Sequence, residues 1–266
     1  MTHDRPGFGP VDVALTAGAR MVDRLLHEAW REGALPPTTD ERYAPSDMPA
    51  FTTDVKDAAC LYGADMVGVT TLEPAWLRGS VGESGFDPAR HTTVVVMAVA
   101  MDYDGILESP TLRAAAATHA GYSRMAVAAT SVATFLRSLG YEAIPAGNEI
   151  ARSVPLAAKA GLGEVGRAGQ IITPTFGPRV RLCKVFTDAP LASDEPIIFG
   201  AAEFCLTCRE CIEACPADAI PEGGPDAELG RWQMDADRCR QFWEANGTSC
   251  ATCIGRCPFN KAPNHR

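Results

Sequence analysis

The sequence predicts an α/β (α+β) layered domain followed by a small cysteine-built module. Three observations lead there. Helical and strand-like periodicities alternate through most of the chain. The run at 94–101 is apolar at both parities, which suits a strand inside a sheet with both faces covered. Eight of the ten cysteines fall between Cys205 and Cys257.

In order, residues 11–30 place Leu15, Ala19, Val22, Leu25 and Leu26 at helical spacing, which predicts one amphipathic helix. Residues 33–49 hold four prolines and predict a surface connection. Thr53 is placed to cap a helix over 54–62 that Gly63 closes, and 66–70 reads as a strand. A Gly-rich loop at 79–90 precedes the buried strand at 94–101. A long helix over 122–139, ended by Gly140, leads to a strand at 141–144 and a short helix at 155–160. A glycine-rich loop at 161–169 and strands at 170–173 and 180–187 complete the layered part. The expected divisions are 1–50 for an N-terminal helix and connection, 51–200 for the main domain and 201–266 for the cysteine module.

The module carries the most specific signal. Cys205-Leu-Thr-Cys208-Arg-Glu-Cys211-Ile-Glu-Ala-Cys215-Pro216 has the C-x2-C-x2-C-x3-C-P spacing of bacterial ferredoxins. The second run, Cys250-Ala-Thr-Cys253-Ile-Gly-Arg-Cys257-Pro258, takes its remaining thiolate from Cys239. Three closely spaced thiolates face one cubane, while the cysteine before each proline leads away from it toward the other. This assigns Cys205, Cys208, Cys211 and Cys257 to one [4Fe-4S] cluster and Cys215, Cys239, Cys250 and Cys253 to a second. Structural zinc would not explain two C-x3-C-P endings, and disulfides would call for an exported chain.

A chain of 266 residues, 46% of them hydrophobic, can bury a main core beside such a module, and a bare electron carrier would not need the preceding domain. Lys+Arg 24 against Asp+Glu 33 gives a formal charge of −9, which argues against nucleic acid as a partner. No basic-then-apolar leader opens the sequence and no apolar run is long enough to span a bilayer, so the expectation is a cytoplasmic protein with no membrane segment. The histidines, His3, His27, His91, His119 and His265, have no metal-ligand spacing. Cys60 and Cys183 read as small buried residues.

Three residues outside the module stand out. Parity in the 180–187 strand puts Val180, Leu182, Lys184 and Phe186 on one face and Arg179, Arg181, Cys183 and Val185 on the other, so Lys184 falls on an apolar face. A buried ammonium needs a partner; the bland alternative is a lysine that snorkels to water. Tyr122 shares a stripe with Met125, Ala126, Ala129, Val132 and Leu136, so its ring points inward, as a packed core tyrosine or as a functional phenol. A cation beside it would make the phenol a readier proton donor. Asn148 is either a polar contact or plain turn chemistry. The Gly161-Leu-Gly163-Glu-Val-Gly166 segment satisfies G-x-G-x-x-G, yet it follows a helix and so lacks the strand context of a dinucleotide fingerprint.

Taken together, Gly121-Tyr-Ser-Arg-Met125, Phe135-Leu-Arg-Ser-Leu-Gly140, Ala160-Gly-Leu-Gly-Glu-Val-Gly-Arg167, Ile172-Thr-Pro-Thr-Phe-Gly-Pro-Arg179 and the run from Phe204 to Asn260 resemble the cobalamin-dependent reductive dehalogenases over roughly residues 50–260. The resemblance implies a nitroreductase-like domain binding a base-off corrinoid (cobalamin), joined to a ferredoxin-like module with two [4Fe-4S] clusters. It implies reductive removal of halide from a small organohalide. The electrons would come from an external donor such as a ferredoxin, flavodoxin or reductase, and a homodimer is compatible with this. Tyr122 matches the family's proton donor, Lys184 the cation beside it and Asn148 the polar residue of the substrate pocket. Gly161, Gly163, Gly166, Arg167, Thr173, Phe176, Gly177, Pro178 and Arg179 would lie against the corrinoid. Compared with the family pattern, the sequence shows no export leader, is abbreviated before residue 50 and ends at Arg266. The competing readings are an epoxyqueuosine-reductase-like enzyme acting on tRNA and a non-catalytic iron–sulfur or corrinoid electron-transfer protein.

Overall fold

A computed structural model of the chain describes residues 5–78, 85–226 and 231–262; the expected loop at 79–90 falls outside the described residues over 79–84. The single helix expected at 11–30 is two, α1 (Pro10–Ala19) and α2 (Met21–Arg31), parted at Arg20. Ser123 occupies the break. Its hydroxyl donates to the Ala19 carbonyl at 2.6 Å and accepts from the Asp23 amide at 3.1 Å, satisfying backbone groups that a helix end leaves unpaired.

Helix α3 (Met48–Leu61) starts earlier than Thr53. Asp47 is its N-cap, accepting from the Ala50 amide at 3.0 Å with Pro49 in the first turn, while the Thr53 hydroxyl bonds back to the Pro49 carbonyl. Cys60, expected inside, is exposed on this helix; Cys183 is buried as expected.

The central sheet is β1 (Met66–Thr71), β2 (Thr93–Ala100), β6 (Val180–Thr187) and β3 (Ala143–Ala146), in the order β1-β2-β6-β3 and antiparallel throughout. Val94 to Val99 of β2 are fully buried. Helices cover both faces, so the unbroken apolar run takes an interior position, as its two-sided pattern requires. Between β2 and β3 come α4 (Tyr103–Leu107) and α5 (Leu112–Ser138). Helix α5 begins well before residue 122 because the buried Ala114–Ala117 stretch is strongly helix-forming and packs without side-chain entropy cost.

After β3 follow α6 (Ser153–Lys159) and a ribbon of β4 (Glu164–Val165) and β5 (Ile171–Ile172), separate from the main sheet. The strand expected at 170–173 is this short β5. One sheet face packs on α3 and α5 through Val55, Val95, Met97, Val132, Leu136, Cys183 and Val185. The other packs on α6 through Val94, Val96, Leu156, Leu182 and Phe186. Each such buried aliphatic contributes about 1.5–3 kcal/mol.

The cysteine-rich part contains α7 (Ala201–Phe204), α8 (Glu210–Glu213), α9 (Ala236–Asn246) and α10 (Thr252–Gly255). It is fastened to the layered part by buried arginines. Arg179 donates to Asn260 Oδ1 at 2.9 Å and to the carbonyls of Met101 and Lys261. Arg167 reaches the carbonyls of Cys205, Leu206, Pro221, Glu222 and Gly223. Gly177, at φ +58°, sits where a Cβ would stand 2.2 Å from the Phe259 carbonyl oxygen. Among the described residues no helix is long and apolar enough to cross a membrane.

Gly177→Ala is expected to cost at least about 1–2 kcal/mol from the left-handed backbone alone, with the Phe259 clash added. Thermal unfolding and iron retention should both fall; a variant as stable as the parent would show that the two parts do not meet so closely.

Candidate functional site

The thiols form the first part of the site. Cys215, Cys239, Cys250 and Cys253 line one small cavity with Pro216, Ile220, Met234 and Phe242, so Cys215 leaves its own run to join the other three. Cys257 lies in the electrostatic reach of Cys205, Cys208 and Cys211, and is pushed up to about 11 mainly by burial. Burial, and then its neighbours Cys250, Cys211, Cys215 and Cys239, push Cys253 up to about 12. Such thiols ionise only when a cationic centre compensates them. Among the described residues no three His, Cys, Asp or Glu converge tightly enough for a single metal ion. Four thiols lining one cavity are a ligand set that would fit a cubane.

The second part is an open cleft of ≈ 770 Å³ between the layered part and the cysteine module. Its walls include Ala117, Ala120 and Gly121 of α5, the aromatic rings of Tyr103 and Phe176, and Arg124 and Lys261. Of the residues expected against a corrinoid, Phe176 and Arg179 line this cleft. The rest are spent on the protein itself. A Cβ on Gly161 would meet the Glu195 carbonyl at 2.6 Å, and one on Gly163 the Ile172 carbonyl at 2.1 Å. One on Gly166 would meet the Ile172 side chain at 2.5 Å and Cys205 Sγ at 3.5 Å. Arg167 holds the Cys205 loop, and the Thr173 hydroxyl donates to the Gly177 carbonyl at 3.0 Å to close the turn that leads into Pro178. Gly161 and Gly163 need small size to pack within the layered part, and Gly166, Arg167 and Gly177 meet the cysteine module, demands that read in sequence like close approach to a cofactor.

The third part is a pocket of ≈ 310 Å³ lined by Tyr122, Asn148, His119, Met125, His27 and Glu149 together with Arg20, Asp23 and Arg24 of the N-terminal helices. It brings Tyr122 and Asn148 together, but not Lys184. Lys184 lies on the α6 face of the sheet with Leu182 and Phe186, whereas Tyr122 packs on the α5 face. The cation at Tyr122 is Arg181, whose guanidinium lies 4.8 Å from the ring centroid and reaches Thr118 Oγ1 at 3.4 Å. Gly121 makes that approach feasible, since a Cβ there would meet the Arg181 side chain at 3.1 Å. Arg181 Nε is buried without a partner among the described residues.

Lys184 is fully buried. It donates to the Gly147 carbonyl and to Ser153 Oγ at 2.9 Å, and Ser153 in turn donates to Asn148 Oδ1 at 3.1 Å. Burial brings Lys184 down to about 8, against the pull of Glu149. It therefore sets the loop that presents Asn148.

His27, Glu149, Arg181 and His119 carried no spacing signal. The usable one for Arg181 was its strand face: it shares the α5 side with Cys183 and Val185, the side to which Tyr122's stripe points. His27 Nδ1 lies 3.0 Å from both the Asp23 carbonyl, in hydrogen-bond alignment, and the Asp23 carboxylate, and Nε2 lies 3.2 Å from Glu149. The Asp23 and Glu149 carboxylates raise His27 to about 10 against burial. Burial would raise Glu149, but the His27 hydrogen bond, a backbone hydrogen bond and the charges of His27 and Lys184 together bring it down to about 2. His119 is lowered to about 4 by burial and by Arg20 and Arg181.

Fold and site together define an electron-handling α/β protein with an iron–sulfur dicluster module. The 4Fe-4S dicluster domain family matches residues 204–261. The tetrachloroethene reductive dehalogenase of Dehalobacter restrictus (strain DSM 9455 / PER-K23) is 38% identical over 256 residues, covering 90% of this chain and 44% of that protein. A namesake from Desulfitobacterium hafniense is 40% identical over 238 residues, covering 85% of this chain and 41% of its own length. The chain thus spans less than half the length of these curated relatives. Among solved structures, the catabolic reductive dehalogenase NpRdhA in complex with 3-bromo-4-hydroxybenzoic acid superposes with TM-score 0.80 at 27% identity, over 94% of this chain and 37% of that one. Epoxyqueuosine reductase from Streptococcus thermophilus gives TM-score 0.54 at 17% identity, over 80% of this chain and 67% of that one, a likeness of fold. The chain belongs to the reductive dehalogenase family, with epoxyqueuosine reductase as a distant relative.

Cys215→Ser should damage the cluster of Cys239, Cys250 and Cys253 and spare the one bound by its own run. Iron should fall from about eight to about four per chain, with one of two reduced-state electron paramagnetic resonance signals lost; damage confined to the Cys205 set would overturn the pairing.

His27→Gln has a signed pH dependence. A group raised from 6.5 to about 10 gives its full stabilisation below 6.5 and loses it as pH rises through 10. The melting temperatures of the two proteins should differ most at pH 6 and converge toward pH 10; a gap that widens with pH would contradict the ion pair.

Proposed function

We propose that this chain carries the catalytic core of a reductive dehalogenase, with residues 51–200 as the reaction domain and 201–266 as the electron-entry module. The observation that carries the proposal is Tyr122 under the Arg181 guanidinium at 4.8 Å, in a pocket it shares with Asn148, on the helix that also walls the cleft beside the cluster module. The overall reaction consumes an organohalide, two electrons and one proton and yields the hydro-product and a halide ion. An external donor such as a ferredoxin or flavodoxin supplies the electrons, and two [4Fe-4S] clusters on the eight module thiolates carry them inward. Thiol-bound clusters suit a reducing compartment.

The cleft is a fitting seat for a corrinoid. Ala117, Ala120 and Gly121 offer a shallow wall, Tyr103 and Phe176 offer rings, and Arg124 and Lys261 flank the opening. When bound there, the corrinoid supplies the cobalt centre that accepts the electrons and engages the carbon–halogen bond.

The chain's own residues provide the rest. Tyr122 holds at its hydroxyl the proton that replaces halide. Arg181 sets a cation over the Tyr122 ring, and its unpartnered Nε offers a donor to developing negative charge. Asn148 orients the substrate through its amide. Lys184 and Ser153 fix the Asn148 loop, so Lys184 acts as a positioning residue, not as the cation at the phenol.

Tyr122→Phe should lower halide release at least about a hundredfold while chemical reduction of the clusters proceeds unchanged. Anaerobic reconstitution should give about eight iron and one cobalt per chain. Undiminished halide release in the variant, or iron without cobalt, would overturn the proposal.

A further inference from the structure

The cysteine module presents its two thiol runs differently. Cys253 packs with Met101, Ile106 and Ala117, and Met101 and Ala117 also wall the cleft. In the same turn the Ala251 amide donates to Ser109 Oγ at 2.8 Å, so this run faces the layered part. The turn from Phe204 to Cys208 faces outward, with Phe204 45% and Leu206 53% exposed. Phe204 meets the Phe259 ring edge-on at 5.4 Å, and Phe259 packs against the small core that includes Cys205. Ile198, 90% exposed, precedes Phe199, whose ring meets Phe259 at 6.0 Å. The exposed apolar side chains therefore stand beside the thiols of the Cys205 set.

The rim of this face is charged in one sense. Between residues 203 and 222 five carboxylates stand against the single Arg209, whereas 235–256 holds three charges of each sign. Arg209 is met by Glu213 at 3.5 Å and Glu222 at 3.4 Å, and the exposed Glu203 and Glu210 side chains have no partner among the described residues. Apolar side chains beside a redox centre, ringed by carboxylates, form a contact area with a steering rim. Its small extent suits the transient encounters of electron transfer. Resting on the electron-entry role proposed for the module, we propose that the electron donor docks here, with Phe204, Leu206 and Ile198 at the centre and Glu203 and Glu210 at the rim. The partner is a one-electron redox protein whose prosthetic group is ringed by lysines and arginines. In each transfer the donor loses one electron, the cluster of Cys205, Cys208, Cys211 and Cys257 gains it, and no proton moves.

The test runs the transfer in reverse. Cluster-loaded protein, reduced and freed of excess dithionite, is mixed anaerobically with ferricytochrome c, whose haem edge is ringed by lysines, or with its succinylated form, in which those lysines carry carboxylates. Haem reduction is read by stopped flow. At about 10 mM salt the native cytochrome should be reduced at least about tenfold faster than the succinylated one, and the gap should close toward about 1 M. Glu203→Gln, Glu210→Gln should lower the native cytochrome's rate about fivefold at low salt, and Leu206→Ser, Ile198→Ser should lower the rate that survives at high salt. Asp237→Asn, Glu244→Gln, an equal charge change on α9 beside the other thiol set, should leave both rates within about twofold. Iron content identifies any variant that has lost its clusters, in which case the parent's preference between the two cytochromes and its salt dependence decide. Equal rates for the two cytochromes, rates unmoved in the iron-loaded Glu203 and Glu210 variant, or an equal effect of the α9 pair would overturn the inference. Salt-sensitive transfer to cytochrome c without halide release would leave this inference standing and bring down the proposed reaction. Halide release with a chemical reductant and no preference between the cytochromes would do the reverse.

Discussion

Strand β6 is covered on both faces, and the rest of the molecule hangs from that constraint. A strand in this position must be apolar, yet β6 and the residue before it carry Arg179, Arg181 and Lys184. The two buried charges meet fixed oxygen acceptors, Arg179 at Asn260 and the Met101 carbonyl and Lys184 at Gly147 and Ser153, while half-buried Arg181 reaches Thr118 and leaves its Nε unpaired among the described residues. The period of two then sorts them. Arg181 turns to α5 and the tyrosine, and Lys184 turns to α6 and the asparagine loop. One strand thereby builds both sides of the pocket and, through Arg179, fastens the cluster module.

The electrostatics follow from local pairing, not from the overall charge. His27 lies 3.0 Å from an Asp23 carboxylate oxygen and 3.2 Å from Glu149, and so joins the N-terminal helices to the loop that carries Asn148 and Glu149. The pocket is thus assembled from three segments distant in sequence, and α1 and α2, on either side of the break at Arg20, both pack on α5.

Close packing within the layered part and against the cysteine module explains the glycines. Gly163, Gly166 and Gly177 have no room for a Cβ because backbone or side-chain atoms of neighbouring segments stand there, and Gly177 also needs a left-handed backbone. Such contacts keep the cysteine loops at a fixed distance from the cleft, which is what electron delivery between rigidly held centres requires.

Much of this was legible in the residues alone. The cysteine spacing separated Cys215 from its neighbours because the thiol of each Cys-Pro ending leads away from its own run, and the structure has Cys215 lining a cavity with Cys239, Cys250 and Cys253. Alternation along β6 gave the two faces, and the apolar run in β2 gave its interior place. Those features are one-dimensional: spacing and period write them directly into the sequence. Tertiary structure alone decided which cation meets Tyr122, because parity says which residues share a face and not what packs upon it. Lys184 looked suited to the phenol since it was buried, but the segment covering its face is α6, while the helix bearing Tyr122 covers the face of Arg181. The glycines were ambiguous for a similar reason: a position that admits no Cβ reads the same whether a cofactor or the chain's own backbone lies against it.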